Sequence, residues 1–339
     1  MWLSEFCSVG IMIFAMNTMT HIRLSIGSAV SLGLRAAKMD APPTTAYALL
    51  GETCMGACRF CTQARRSDAD RHLLSRVIWP EFEMPAVLES LSADDGVRRV
   101  CIQTLLYPDL LPDLLATVEQ LKAASDAPLS VCMNPVDKEW LVALKDAGAE
   151  RVGVGLDCAT EALFNAMKPG FSWHRYMQFV DDTIEVFGVG SVHLIAGLGE
   201  TDAELVGAFQ TFHDKGCTIA LFAFTPVRGT QLDVAPPPLE RYRALQLARY
   251  LIVHDQARVE AMAFDGGRLA SINVDPAVLD RALESGTSFR TSGCPHCNRP
   301  MYNERPGGAR YNHPAPLTAT EKSAAREALW RYLKISSTD

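Results

Sequence analysis

Short apolar runs recur along this chain at regular spacing, separated by longer stretches of helical period. Residues 44–50 predict a first strand. Val100 and Ile102 alternating with Cys101 predict a second strand at 99–104, and similar patterns predict strands at 129–133, 150–157, 191–197 and 218–224. A seventh is expected at 258–264 and a weaker eighth at 269–274. Helices are expected from Trp79-Pro80 to about residue 92, over 110–124, 136–147, 161–167 and 173–187, and from Pro236-Pro237-Pro238 to about 257. Thr201-Asp202-Ala203-Glu204 has the form of a capping box that starts one more helix. Thr318-Ala319-Thr320-Glu321 starts a tail helix over 317–333, with Ala325, Leu329, Trp330 and Leu333 on one face.

Strands alternating with helices predict parallel βα units. This many in ~250 residues fits an α/β, TIM-type (β/α)8 barrel. A doubly wound open sheet is the alternative, but no Gly-x-Gly-x-x-Gly follows the first strand. The expected division is an N-terminal extension (1–40), a barrel (41–285) and a C-terminal cysteine-containing tail (286–339). There is no linker and no internal repeat.

Composition narrows the class. The 339 residues are 48% hydrophobic and 21% charged, with a net charge of −7, so there is no basic footprint for nucleic acid. Residues 2–16 are apolar apart from Ser4, Glu5 and Ser8. They lack a basic leader and no uncharged membrane-length span follows. A short helix on the barrel is expected there, or a true start at Met16 or Met19. The ten cysteines cluster in ligand-like motifs or sit singly in apolar runs, which favours a reducing cytoplasm over disulfides.

Three of them define the candidate chemistry. Cys54-Met55-Gly56-Ala57-Cys58-Arg59-Phe60-Cys61 places three thiols in a loop after the first strand. Three thiolates can hold three corners of an iron–sulfur cube and leave the fourth iron open. A zinc knuckle is the competing reading, but zinc wants four ligands in paired spacing and no fourth Cys or His lies close by. Barrel chemistry collects at the C-terminal ends of strands. There the fourth strand ends in Asp157 and the fifth in Gly197-Leu198-Gly199-Glu200, whose glycines would let a flat ring approach the backbone. A capping Asp and a plain turn are the competing readings.

Cys294 and Cys297 form a second pair, which needs partners from elsewhere or from a second chain. Cys101, Cys132, Cys158 and Cys217 are candidates, and so, less strongly, is His296. Cys101 and Cys132 lie on adjacent expected strands, ~4.8 Å apart, though cysteine often simply packs in cores. No role is assigned to Cys7.

The Cys54–Cys61 motif resembles the signature of the radical S-adenosylmethionine (SAM) superfamily. From about residue 44 to 285 the chain resembles biotin synthase and its relatives, at Arg99-Val100-Cys101, Cys132-Met133, Gly155-Leu156-Asp157 and Ile195-Ala196-Gly197-Leu198-Gly199-Glu200-Thr201. The resemblance implies a SAM-binding 4Fe-4S cluster on Cys54, Cys58 and Cys61, with Phe60, Gln103, Asp157, Ile195, Gly197 and Glu200 around SAM. It implies a second, auxiliary Fe–S cluster with Cys101 and Cys132 as ligands. The chain departs from biotin synthase at Ser191 and Ala261, where that enzyme has a cysteine and an arginine. Counting then suggests Cys101, Cys132, Cys294 and Cys297 as the auxiliary ligands.

The stretch from Gly293-Cys294-Pro295-His296-Cys297 through Gly308, together with Leu74-Ser75-Arg76-Val77-x-Trp79-Pro80, resembles two-component lipoyl synthase proteins. That implies SAM cleavage, hydrogen abstraction from a protein-bound octanoyl chain, and sulfur insertion at C6 or C8. The implied partners are an octanoylated carrier (H protein or E2 lipoyl domain), a paralogous radical SAM protein, and a ferredoxin or flavodoxin as reductant. Arg59, Arg299 and Arg305 are candidates to bind the substrate's carrier or a SAM carboxylate, with solvated surface the stronger reading for each, as for His174 and Arg175. No membrane is implied. Competing readings are biotin synthesis, a maturase step or a rearrangement, a non-catalytic Fe–S relay, and structural zinc at Cys294 and Cys297.

Overall fold

Alternating side-chain direction gives each strand one face for the helices and one for the interior, and this chain uses both faces. The computed structural model describes residues 18–39, 41–94, 96–300 and 308–333. In chain order the elements begin β1 (His21–Leu24), α1 (Ile26–Ser31), β2 (Thr45–Leu50), β3 (Leu73–Leu74), β4 (Val77–Ile78) and β5 (Glu81–Glu83). Next come α2 (Met84–Ala93), β6 (Arg99–Thr104), α3 (Leu110–Ala124), β7 (Leu129–Met133), α4 (Lys138–Asp146) and β8 (Ala149–Asp157). Then follow α5 (Glu161–Met167), α6 (Trp173–Phe187), β9 (Gly190–Ala196), α7 (Asp202–Asp214), β10 (Cys217–Ala223) and α8 (Leu239–Val253). The last are β11 (Met262–Asp265), β12 (Arg268–Ile272), α9 (Pro276–Ser285) and α10 (Ala319–Tyr332).

The main sheet runs β10-β9-β8-β7-β6-β2-β1-β5. Its six strands from β2 to β10 are parallel, and their helical crossovers give the α/β, TIM-type arrangement expected. At the β2 edge, β1 and then β5 add on antiparallel. Val100, Ile102, Val131, Val152 and Val154 face the helices in the main core. Tyr47 and Leu49 face the interior, in a smaller cluster that touches Cys54, Cys101 and Cys297.

Two expectations are corrected. The predicted seventh and eighth strands do not join the barrel sheet: β11 and β12 pair only with each other, antiparallel, among the described residues. Gly266 and Gly267 join them, both at positive φ. A link that short suits a hairpin, whereas a parallel crossover needs a dozen residues or more. The helix expected from Trp79-Pro80 instead starts at Met84, because β5 first takes the sheet edge against β1. The expected helix at 2–16, the possible starts at Met16 and Cys7 lie outside the described residues, as do Arg305 and residues 301–307 of the tail motif.

The tail is fastened to the barrel by polar groups. Buried Arg243 of α8 donates to the carbonyls of Tyr311 (2.5 Å) and Arg310 (2.5 Å), and Gln246 donates to Tyr311 (3.0 Å). Helix α10 has the expected capping box and packs on α8, with Ala325, Leu329 and Leu333 buried.

Candidate active site

The triad loop leaves β2 at the C-terminal end of the parallel strands. Met55 donates its N–H to the Leu106 carbonyl (2.8 Å), Arg59 to Met167 (2.9 Å) and Leu232 to Arg59 (2.9 Å), so three neighbouring segments pin the loop. The backbone N–H groups of Gly56 and Leu106 lie 3.3 Å and 3.5 Å from Cys54 Sγ and hold the sulfur in place. Burial pushes the Cys58 thiol up to about 11, against the pull of Lys168. Burial and the neighbouring Cys58 push Cys61 up to about 12. A bound cationic centre reverses such shifts by holding the sulfurs as thiolates, so this buried, soft donor set fits an iron–sulfur cluster.

Beside the triad, Asp157 ends β8 with φ at 68°, a left-handed conformation uncommon outside glycine. Lys168 Nζ lies 2.8 Å from Asp157 Oδ2 and also donates to the Gly155 carbonyl. Lys168 is 3% exposed and sits 4.5 Å from the Tyr176 ring centre. Burial alone would lower its pKa, but Asp157 and the other anionic partners raise it, so the ammonium stays charged. Asp157 Oδ1 carries no hydrogen bond among the described residues, which leaves one oxygen for a diol.

The turn after β9 is shaped from within. Glu200 does not offer its carboxylate to a ligand: it accepts from Gly197 N (2.7 Å), Leu198 N (2.9 Å) and Arg241 (2.8 Å). It therefore shapes the turn. A Cβ on Gly197, at φ 101°, would stand 2.8 Å from Pro237 Cδ, so proline packs closely against the turn. Ile195 lies on β9 paired with Phe222 of β10. Phe60 is half-buried against the main core. Gln103 donates to Cys101 Sγ (3.0 Å), so its amide faces the inner thiols.

Deeper in the barrel the structure brings Cys101, Cys132, Cys294 and Cys297 together. Cys101 is pushed well up by burial and by Cys294, Cys297 and Cys132. Burial pushes Cys132 to about 12, with Asp157 and Cys294 in the same direction. Cys101 and Cys132 are offset: Cys101 pairs with Ser130, and Gln103 with Cys132. The tail pair reaches them from the floor. Arg99 donates to the Pro295 carbonyl (2.9 Å), Thr44 and Thr45 donate to that of His296 (2.6 and 3.0 Å), and Leu221 N donates to Ser292 (2.9 Å).

Tyr47 Oη lies 3.4 Å from Cys297 Sγ and accepts from Arg299 N (3.0 Å). His193 Nδ1 lies 3.5 Å from Cys132 Sγ, and Ser191 Oγ 4.0 Å from Cys294 Sγ. Among the described residues no three His, Cys, Asp or Glu side chains converge as a single-ion site needs. Cys158 and Cys217 are buried, as packing residues.

Arg299, expected on the surface, is buried and stacks 3.8 Å from the Phe222 ring centre. Lys168, Tyr47 and His193 were not singled out from the sequence. Ser191-Val192-His193 carries a usable signal, since alternation sends both polar side chains inward from one strand. Lys168 carries none.

Residues 49–212 match the model of the Radical SAM superfamily, so the chain carries a radical SAM domain, the kind that works with a 4Fe-4S cluster and SAM. Lipoyl synthase of Mycolicibacterium gilvum is 27% identical over 179 residues, covering 50% of this chain and 52% of that protein. Biotin synthase of Saccharopolyspora erythraea is 24% identical over 216 residues, covering 61% and 59%. The chain thus spans between half and two thirds of the length of these relatives.

Among solved structures, methylornithine synthase superposes with a TM-score of 0.52 at 13% identity, covering 67% of this chain and 65% of that one. The FeFe-hydrogenase maturase of Carboxydothermus hydrogenoformans gives 0.50 at 12%, covering 62% and 51%. At such identities the likeness is one of fold.

Proposed function

We propose that this chain is a radical SAM sulfur-insertion enzyme, one component of a two-protein lipoyl synthase that adds sulfur to a protein-bound octanoyl chain. The observation that carries the reading is the second group of four thiols, Cys101, Cys132, Cys294 and Cys297, inside the barrel behind the triad loop. When bound, the triad's cluster and SAM supply the electron and the cleavable carbon–sulfur bond that make an unactivated C–H bond reactive. The chain's own residues do the rest. Asp157, held by Lys168, presents Oδ1 toward a ribose diol. Glu200 fixes the turn that borders SAM. The buried interior excludes water from the reacting carbon, and the four inner thiols hold the sulfur source.

A cavity of about 500 Å³ reaches Tyr47, whose hydroxyl meets Cys297. Ile26, Val30, Met39 and Val77 line it together with Lys38, Arg76 and Arg310. That mixture suits an acyl chain carried by an acidic protein. A paralogous partner and a ferredoxin or flavodoxin complete the proposal.

The test is anaerobic reconstitution followed by iron and sulfide counts. About eight irons in the parent, and about four after Cys54, Cys58 and Cys61 become Ala, are expected. Octanoyl-carrier thiolation assays with the partner follow. About four irons in the parent and none in the variant remove the sulfur donor and the proposal with it.

A further inference from the structure

The inner thiols have a second approach. A cavity of about 880 Å³ lies at the N-terminal ends of the strands, between Thr44 before β2, Arg98 before β6 and the start of β10. The triad loop, Asp157 and Gly197 all lie at the other ends. The wall of this cavity includes both Cys294 and Cys297. It also carries three arginines and three histidines and, among the described residues, no Asp or Glu. The chain as a whole has a net charge of −7, so this concentration of cations is local.

Arg249 on α8 is the telling residue. It is 8% exposed, it donates one long hydrogen bond to the Ile219 carbonyl (3.4 Å), and it makes no ion pair among the described residues. A buried guanidinium without a carboxylate is costly. This one is turned into a polar space that an anion would complete. Arg98 and Arg290 add charge to the same wall. His213 differs, because Asp255 lies 2.8 Å from its ring.

We propose that this cleft is an anion site that binds hydrosulfide and admits it to Cys294 and Cys297 from the barrel end opposite the SAM loop. The hydrosulfide assignment rests on reading the inner thiols as a sulfur source, which must be refilled when spent. Binding makes and breaks no bond; the anion exchanges water for the guanidinium of Arg249. Two doors then serve one interior: SAM uses one, sulfur the other.

The first experiment needs no cluster. In the full-length metal-free chain, Cys294 and Cys297 are alkylated with anionic iodoacetate and with neutral iodoacetamide, and the rates are read by peptide mass. The ratio of the two rates cancels each thiol's own ionisation. Arg249→Met is expected to lower that ratio roughly tenfold at Cys294 and Cys297, the low end of what a charged cleft adds to an anion's approach. The ratios at Cys54, Cys58 and Cys61 stay unchanged. Arg98→Gln and Arg290→Gln lower the ratio less, in the same direction, and carry the test if Arg249→Met does not fold. Unchanged ratios in every folded variant overturn the anion site.

The second experiment uses the chain with Cys54, Cys58 and Cys61 changed to Ala. The rate of inner-cluster assembly is followed against hydrosulfide concentration. Arg249→Met is expected to raise the half-saturating concentration several-fold, and an unchanged value overturns the hydrosulfide assignment. If the parent takes up no inner cluster, the sulfur-insertion reading and the hydrosulfide role fall together. The alkylation ratio still decides whether the anion cleft exists.

Discussion

Lys168 and Asp157 form the buried ion pair beside the triad loop. Both are largely out of water and each satisfies the other. Removing one partner of such a pair leaves a buried charge alone, at a cost of about 3–5 kcal/mol. Lys168→Met is therefore expected to lower unfolding stability by about that much, and adding Asp157→Asn is expected to restore part of it; paired denaturant titrations check both. Gly197→Ala meets Pro237 and an unfavourable φ together, and is expected to cost about 1–3 kcal/mol by the same measurement. The glycine was visible in the sequence as a site residue. Its reason was not, because Pro237 is brought to it only by folding.

The tail helix and the segment before it show what local pattern can and cannot reveal. The cap at Thr318 was legible from four residues, and Thr318→Ala is expected to cost about 1 kcal/mol of stability. The docking of residues 310–313 on α8 was not legible, since Arg243 and Gln246 read as an ordinary polar helix face. His313 lies in that docking surface. Burial, reinforced by Arg243, lowers it to about 4, while Glu321 pulls the other way. The unfolded chain takes up this proton near the ordinary histidine value of 6.5, and the folded chain only near 4. Stability from this group is therefore present above 6.5 and is lost as pH falls toward 4. Melting temperatures measured across that window should decline, and His313→Gln should flatten the decline. The β11–β12 hairpin gives the opposite lesson: Gly266-Gly267 announced it, and strand counting overrode the signal.

Across the molecule, strand and helix periods gave the βα order because each unit is local. The gathering of four thiols from β6, β7 and the tail depends on contacts nearly two hundred residues apart, such as that from Arg99 to Pro295. A chain ending after residue 290 lacks Cys294, Cys297 and these anchors. It is expected to melt at a lower temperature and to hold about four irons rather than eight, as calorimetry and iron analysis would show.

The tail segment that carries Cys294 and Cys297 also imposes a timetable. Synthesis proceeds from the N-terminus, so β2, β6 and β7 with two of the inner thiols emerge long before Cys294 and Cys297. The triad loop is whole as soon as residue 61 is made, whereas the inner set waits for residue 297. Birth order thus separates the two thiol sets in time, and a ribosome-stalled chain halted before residue 294 has every cysteine of the first and half of those of the second.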